Sequence, residues 1–353
     1  MDKNVNKILF FGEVPKNSLH GISIANTINI EMLKERFIVD VIAESTQLLY
    51  HNKTSFWKII NYLLDDARII RKALLNKYRY FYLIFSLTTF GSIKTLFAII
   101  VFRMFNRGDV ILHIHRGDFF SRFYTNIINK TVTKFIFMCS EKIIVLSENQ
   151  SVEFEDIFSR KFFILQNTIT KEVELKERSL GKFNFLYISN YLEDKGIYDL
   201  LDVFSSLLQD YKTIRLKTFG DFPDLKSKKT ITDYNSANII IGGRIEESEK
   251  FYELSVADCF IMPSWNEGQP LVLLEAMSVK TPVIASAVGL IPEMLGRDYL
   301  FLIPLRSKEI LRQKIIEYIN YQDKNIISDA LYKRYYNNYS RNNHLTELSK
   351  IFV

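Results

Sequence analysis

The sequence predicts an α/β fold made of two doubly wound parallel-sheet halves, on three observations. Apolar strand-like runs alternate with helix-length segments, which implies parallel sheets covered on both faces. The alternation restarts near Phe183. At 353 residues the chain is too long for one ordinary core and suits two domains of roughly 150–180 residues each.

Lys7 to Phe11 (KILFF) reads as a buried strand. A loop with Gly12, Pro15 and Gly21 follows, then a helix through about Lys34, and Phe37 to Ala43 is strand-like again. Thr54 to Lys77 carries Phe56, Ile60, Leu63, Ala67, Ile70 and Leu74 at the three-and-four spacing of an amphipathic helix. Further strands are predicted at Tyr82–Phe85, Val110–Ile114 and Lys142–Leu146, with helices between them. In the second half, strands are predicted at Phe183–Ser189, Arg215–Phe219, Asn238–Ile241, Asp258–Met262 and Pro282–Ala285. Helices fall at Gly196–Gln209 and near Glu247–Val256. The polar stretch Gln166–Leu180 reads as a linker. This divides the chain into residues 1–168, residues 169–335, and a helix at 336–353 that packs back on the first domain. Such sheets bind ligands at the carboxyl ends of their strands.

Composition narrows the function classes. A 48% hydrophobic, 24% charged chain with 28 Phe and 19 Tyr is a folded protein with large cores. Cys139 (FMCSEK) and Cys259 (ADCFIM) read as buried free thiols of a reducing cytoplasm. No Cys/His cluster has metal-ligand spacing. Ile8–Phe11 is too brief for a signal-peptide core, and Tyr80–Ile93 falls short of the ~20 residues of a spanning helix. A soluble or peripheral protein is expected. Ten Lys/Arg against two Asp lie between Lys53 and Arg107, so the net charge of +6 belongs to one region. That argues against nucleic-acid binding and for a local anionic partner. The Thr54–Lys77 helix reads either as a core helix with a solvated face or as a helix lying on an anionic membrane, with Phe56, Trp57 and Tyr62 at the interface.

Chemistry concentrates between Asp258 and Ser286. An apolar strand runs into the turn-rich Pro263-Ser264-Trp265-Asn266-Glu267-Gly268, and Pro270 suits a first helical turn. Leu271 to Met277 is apolar on every side except at Glu275. A helix of that kind is buried, and its one carboxylate is costly unless paired. Adjacent ribose hydroxyls would serve, since a carboxylate accepts two hydrogen bonds. Free N–H groups at the helix start suit a diphosphate, and Gly268, Gln269, Pro270, Leu271 and Val272 are the donor-binding candidates there. Glu267 could reach a sugar beyond it.

PSWNEGQPLVLLEAMSVKTPVIAS closely resembles the donor-binding motif of the retaining glycosyltransferases of family four, whose fold is GT-B, with two Rossmann-like domains facing a central cleft. Seven residues separate that family's two glutamates, as they separate Glu267 and Glu275. The resemblance implies that Glu267 contacts the transferred sugar and Glu275 the ribose. GLIPEML, with Gly289, Pro292 and Glu293, resembles the next loop of the family. FLYISNYLEDKGIYDLL resembles its first strand and helix: Lys195-Gly196 matches the Lys-Gly pair, and Lys195 would neutralise the diphosphate leaving group. Ser189-Asn190 stands where Gly-Arg is usual, so one cation is replaced by Asn190 or supplied by Arg244. Gly220-Asp221-Phe222-Pro223, Gly243 and Asn167 also resemble family positions. In the first half, His20-Gly21 resembles a Gly-Gly pair. His115 (LHIHRGDF) resembles a histidine near the reaction centre, with His113 two residues before it and Arg116 and Asp118 as acceptor-side candidates.

The resemblance implies an enzyme that transfers a sugar with retention and without a metal or cofactor, the nucleotide-diphosphate-sugar being a co-substrate. No nucleophile is evident, which favours same-face attack with the leaving phosphate accepting the acceptor's proton. A glycan or polyprenyl-diphosphate-linked acceptor, surface-polysaccharide synthesis (O-antigen, capsule or exopolysaccharide) and a cytoplasmic, peripheral location are expected. The rivals are a sugar-nucleotide epimerase of similar fold and a non-catalytic, membrane-associated partner of an active transferase.

Overall fold

The computed structural model describes residues 6–15, 21–44, 56–169 and 183–353. It divides into two compact units, residues 1–168 with 341–353 and residues 169–340.

In the first unit, β1 (Lys7–Gly12), α1 (Gly21–Lys34), β2 (Ile38–Ala43), α2 (Phe56–Leu75), β3 (Tyr80–Ile84) and α3 (Thr89–Phe105) come first. They are followed by β4 (Asp109–His113), α4 (Ile127–Met138), β5 (Lys142–Val145), α5 (Glu148–Phe158) and β6 (Phe163–Ile164). All strand pairs are parallel, in the order β2-β1-β3-β4-β5-β6. Burial on both faces explains why these strands read as unbroken apolar runs: all five residues from Ile8 to Gly12 are buried. A one-turn π-helical segment, Phe119–Phe123, packs Phe119 into an aromatic cluster with Phe85, Phe137 and Phe154.

In the second unit, β7 (Phe183–Ile188), α6 (Ile197–Asp210), β8 (Ile214–Phe219), α7 (Leu225–Thr232), β9 (Ile239–Ile241) and α8 (Glu247–Val256) form the first half. β10 (Cys259–Met262), α9 (Leu271–Ser278), β11 (Val283–Ser286), α10 (Ile291–Leu295), β12 (Leu302–Ile303), α11 (Lys308–Asn320) and α12 (Lys324–Tyr339) complete it. The strand order is β12-β11-β10-β7-β8-β9, all parallel. Two doubly wound parallel sheets are therefore the observed architecture.

Several expectations need correction. The return to the first unit begins at Arg341 with α13 (Arg341–Ile351) rather than at residue 336, because α12 runs on to Tyr339. Cys139 is half-buried at the end of α4, and only Cys259 is fully enclosed. The proposed interfacial Tyr62 is half-buried and covers the Lys94 ammonium, 4.4 Å from its ring centre. Thr54 and Ser55 at the start of that predicted helix, and residues 170–180 of the linker, lie outside the described residues. Among the described residues no helix is long and apolar enough to cross a membrane.

Candidate active site

In the second unit the chain leaves β7 for β8 and β9 and returns to β10 on the other side of β7. Strand order reverses between β7 and β10, and a crevice opens beyond the carboxyl ends of such a pair. The loops after these two strands hold most of the sequence-predicted donor residues. Lys195 ends a single 3-10 turn, Glu193–Lys195, closed by Gly196 at φ 72°. A Cβ on Gly196 would stand 2.2 Å from the Pro263 carbonyl oxygen, so glycine lets this turn lie against the β10 loop. Trp265 N–H donates to Asp194 O at 2.7 Å and ties the two loops together. Lys195 Nζ donates to Glu267 Oε1 at 2.7 Å and reaches Asn266 O at 3.4 Å. The family resemblance implies Lys195 for the diphosphate and Glu267 for the sugar. The structure joins them in one ion pair, so the side chains expected at phosphate and at sugar stand side by side.

Gly289 holds this loop from behind. Its φ of 55° is left-handed, and a Cβ there would be 1.9 Å from Glu267 O, while Leu290 N–H donates to Gly268 O at 3.0 Å. Gly289→Ala combines backbone strain with a clash against backbone. We expect a loss of about 1–3 kcal/mol of folding stability. Urea denaturation with an unchanged midpoint would refute this reading of Gly289.

Pro270 caps α9 without a side-chain acceptor, which leaves the helix start facing whatever anion approaches. Gln269 and Leu271 are buried there, and Gly268, Pro270 and Val272 half-buried. Glu275 is buried, as expected of the one carboxylate in an apolar helix. Its partner was not foreseen: Lys250 Nζ, from α8, donates to Oε1 at 2.6 Å. Oε2 has no partner among the described residues. Burial pushes the Glu275 carboxyl above the usual carboxylate range, and Lys250 opposes that shift. Ser264 Oγ, Trp265 Nε1 and Ser286 Oγ are likewise buried without a partner. Met262 is in register with Ala285, so Ser264 and Ser286 both lie at the carboxyl ends of neighbouring strands. Sequence reasoning passed over both serines. The signal available was their position at strand ends, which orphaned polar atoms now single out.

Asn190 follows β7 and is half-buried, and its carbonyl accepts from Leu192 N–H at 2.7 Å. Gly220 sits so close that a Cβ on it would be 2.0 Å from Ser189 O, and its N–H donates to Gly243 O at 3.0 Å. The loop carrying Arg244 therefore lies beside the loop carrying Asn190. Arg244 is exposed.

In the first unit, Gly21 is the first residue of α1, and a Cβ on it would meet nothing within 4 Å. His20 lies outside the described residues. His115 follows β4 and is buried, with neither ring nitrogen partnered among the described residues. Its ring lies against His113, with centroids 3.8 Å apart. Burial and the nearby His344 push His115 down to about 3, so it is neutral at pH 7. Arg116 Nε donates to Asp118 Oδ1 at 2.8 Å, so these two candidates pair with each other.

A buried polar chain stands behind the histidines. His113 Nδ1 meets Tyr82 Oη at 2.7 Å, Tyr82 Oη meets the Asn29 amide at 3.0 Å, and Asn29 meets His344 Nε2 at 2.6 Å. His344 Nδ1 lies 2.6 Å from the Gln166 carbonyl, which can only accept, so Nδ1 carries a proton. Two proton arrangements then satisfy the chain. With His344 charged, Nε2 donates to Asn29 Oδ1, Asn29 donates to Tyr82, and Tyr82 donates to His113 Nδ1. With His344 neutral, the amide is turned over: Asn29 Nδ2 donates to His344, Tyr82 donates to Asn29 Oδ1, and His113 Nδ1–H donates to Tyr82. Asn29 stands with Nδ2 towards Tyr82 and Oδ1 towards His344, the orientation of the first arrangement. Burial holds His344 down to about 4 against the pull of the Gln166 carbonyl, which opposes its charge.

Residues 182–321 match the family model described as glycosyl transferases group 1. The match spans about two fifths of the chain and makes this segment similar to the group 1 glycosyltransferases. The family resemblance carried by NEGQPLVLLEAM thus stands. The chain is 30% identical over 171 residues to the putative teichuronic acid biosynthesis glycosyltransferase TuaC of Bacillus subtilis, covering 47% of this chain and 41% of that one. It is 25% identical over 158 residues to the capsular polysaccharide biosynthesis glycosyltransferase CapM of Staphylococcus aureus, covering 42% of this chain and 40% of that one. The chain spans half or less of the length of these relatives. Among solved structures, sucrose-phosphate synthase from Thermosynechococcus elongatus aligns with a TM-score of 0.77 at 15% identity, over 98% of both chains. Anabaena HepE, solved with UDP and glucose, aligns with a TM-score of 0.69 at 16% identity, over 98% of both chains. At these identities the likeness shows a shared fold alone.

Proposed function

We propose that this chain transfers a sugar, with retention of configuration, from a nucleotide-diphosphate-sugar to a glycan or polyprenyl-diphosphate-linked acceptor in surface-polysaccharide synthesis. The observation that carries the donor half is Glu275, which is buried with one oxygen on Lys250 and the other unpartnered. A carboxylate so placed accepts ribose hydroxyls at little further desolvation cost, because that cost has already been met in folding. Glu267 takes the hydroxyls of the transferred sugar. Lys195, whose ammonium has donors beyond those given to Glu267 and Asn266, takes the diphosphate together with the start of α9.

Bond breaking moves negative charge onto the diphosphate, where Lys195 and the helix start stabilise it more than in the intact donor. The acceptor hydroxyl attacks from the same face, its proton passes to the departing phosphate oxygen, and no divalent ion is needed. The first unit receives the acceptor, with neutral His115 as its catalytic group. The names of TuaC and CapM support the surface-polysaccharide setting, and a cytoplasmic, peripheral location at the inner membrane face follows from a lipid-linked acceptor.

The test is incubation of the purified protein with a panel of nucleotide-sugars, with and without polyprenyl-linked acceptors, in the presence of EDTA. Acceptor-dependent release of the nucleoside diphosphate with an axial-to-axial or equatorial-to-equatorial product supports the proposal. Epimer formation without acceptor, inversion, or loss of turnover in EDTA would each remove the part of it concerned.

A further inference from the structure

Helix α3 carries its polarity the wrong way round for a helix facing water. Its exposed residues are Phe90, Ile93, Phe97, Ile100 and Met104, which recur at three-and-four spacing as a single stripe. Its polar residues Ser92, Lys94 and Thr95 point inward and are buried. Lys94, the residue with most to gain from solvent, instead bonds Asp65 at 2.7 Å and Glu44 at 3.1 Å. The neighbouring α2 and α4 pack on α3 and continue the apolar surface with Leu63, Leu64, Leu74 and Leu75 on one side and Ile127, Ile128, Phe135 and Met138 on the other. In the second unit, by contrast, the exposed residues of α11 are Lys308, Glu309, Gln313, Glu317 and Asn320.

The exposed charges of the segment that carries this patch have one sign; exposed Glu141, beyond it, pairs with Arg103 at the end of α3. Between residues 60 and 138 the exposed charged residues are Arg68, Arg71, Lys77, Arg79, Arg107, Arg122 and Lys134, with no exposed acid. Both aspartates of α2, Asp65 and Asp66, are buried. Exposed apolar stripes this large mark a docking surface. A basic rim around an apolar centre is complementary to anionic headgroups above acyl chains.

We propose that the face formed by α3, with α2 and α4 beside it, docks the first unit on an anionic lipid bilayer, its apolar stripe entering the headgroup boundary. This deepens the peripheral location proposed above by giving it a surface. It also shifts the centre of the contact from α2, where the sequence put it, to α3: Leu63, Ala67 and Leu74 of the expected α2 stripe are exposed at its side, and Ile69 and Ala73 pack on the core. Because binding is read on vesicles without donor or acceptor, its failure leaves sugar transfer standing, and loss of sugar transfer leaves docking standing.

The experiment is co-sedimentation with vesicles of phosphatidylglycerol and phosphatidylcholine in equal parts, against vesicles of phosphatidylcholine alone. The wild-type chain is expected to partition at least about tenfold more strongly to the anionic vesicles, and high salt should reduce the difference. Phe97→Glu and, separately, the milder Ile93→Ser/Phe97→Ser pair should lower partitioning by about tenfold or more while leaving the thermal midpoint within a few degrees of wild type. Equal binding to both vesicle types, or undiminished binding by both variants, would overturn the proposal. So would a concentration-dependent dimer in sedimentation velocity that Phe97→Glu abolishes, since the stripe would then belong to a second copy of the chain.

Discussion

Glu275→Gln should weaken binding of the nucleotide-diphosphate-sugar by roughly ten- to a hundredfold while the second unit stays folded. Each hydrogen bond from a ribose hydroxyl to an ionised carboxylate contributes about 1.5–3 kcal/mol, and the amide retains one acceptor but loses the charge. The main cost to the free protein falls on Lys250, which loses its anionic partner. Its side chain keeps 17% of its surface in solvent, so the ammonium retains some hydration. Lys250→Met tests the same pair from the other side. Without the ammonium, burial raises the Glu275 carboxyl further, and donor affinity should then improve as the pH rises through the shifted value. Isothermal titration of both variants against UDP-sugars and other nucleotide-sugars checks this. Unchanged affinity in Glu275→Gln for a donor that the wild type binds would dissociate Glu275 from the ribose.

The first unit should lose stability steeply as the solution is acidified. Burial holds His113 well below its ordinary value of 6.5, His115 down to about 3 and His344 down to about 4. All three folded values are depressed. Between pH 6.5 and about 4 the unfolded chain therefore binds protons that the folded chain refuses, and stability falls with falling pH. Above pH 6.5 the three contribute no slope. Each uncompensated histidine is worth about 1.4 kcal/mol per pH unit, so together they approach about 4 kcal/mol per unit near pH 5. Thermal melts from pH 8 to pH 4 should show a plateau and then a fall, and His344→Gln should remove roughly a third of the slope. A flat profile would mean that these rings are hydrated in solution.

The alternation of apolar runs and helices made both sheets legible, because strands buried on both faces have few polar residues to confuse the pattern. The two-residue strands β6 and β12 escaped it, being too short to carry a period. In the site, Lys195, Glu267 and Glu275 were visible as chemistry, but their pairings were not. Lys250 lies 25 residues before Glu275 in the sequence. Nothing in SEKFYEL marks which of its charges turns inward. Helix α3 was missed for the opposite reason. SIKTLFAIIVF reads as a core helix in a window, and periodicity reports that an apolar stripe exists without saying which side of it faces protein. His344 stood in a polar tail, RNNHLTELSK, whose value depends on Asn29 and Tyr82, more than 200 residues away in the chain.

The polar chain from His113 to His344 also dictates an order of events in synthesis. Its last member belongs to α13, and Phe352 just beyond packs edge-on against Tyr80 and Tyr82, with ring centres 5.3 and 5.4 Å apart. These residues leave the ribosome only after all of residues 169–340. At ordinary elongation rates the nascent first unit waits roughly ten to thirty seconds with the Asn29 side chain short of its His344 partner and an apolar slot open. The second unit has no such dependence and can finish first, although it is translated second. A circular permutant that moves residues 341–353 ahead of residue 1 would let the first unit close on its own, and should relieve any need for a holding chaperone during expression.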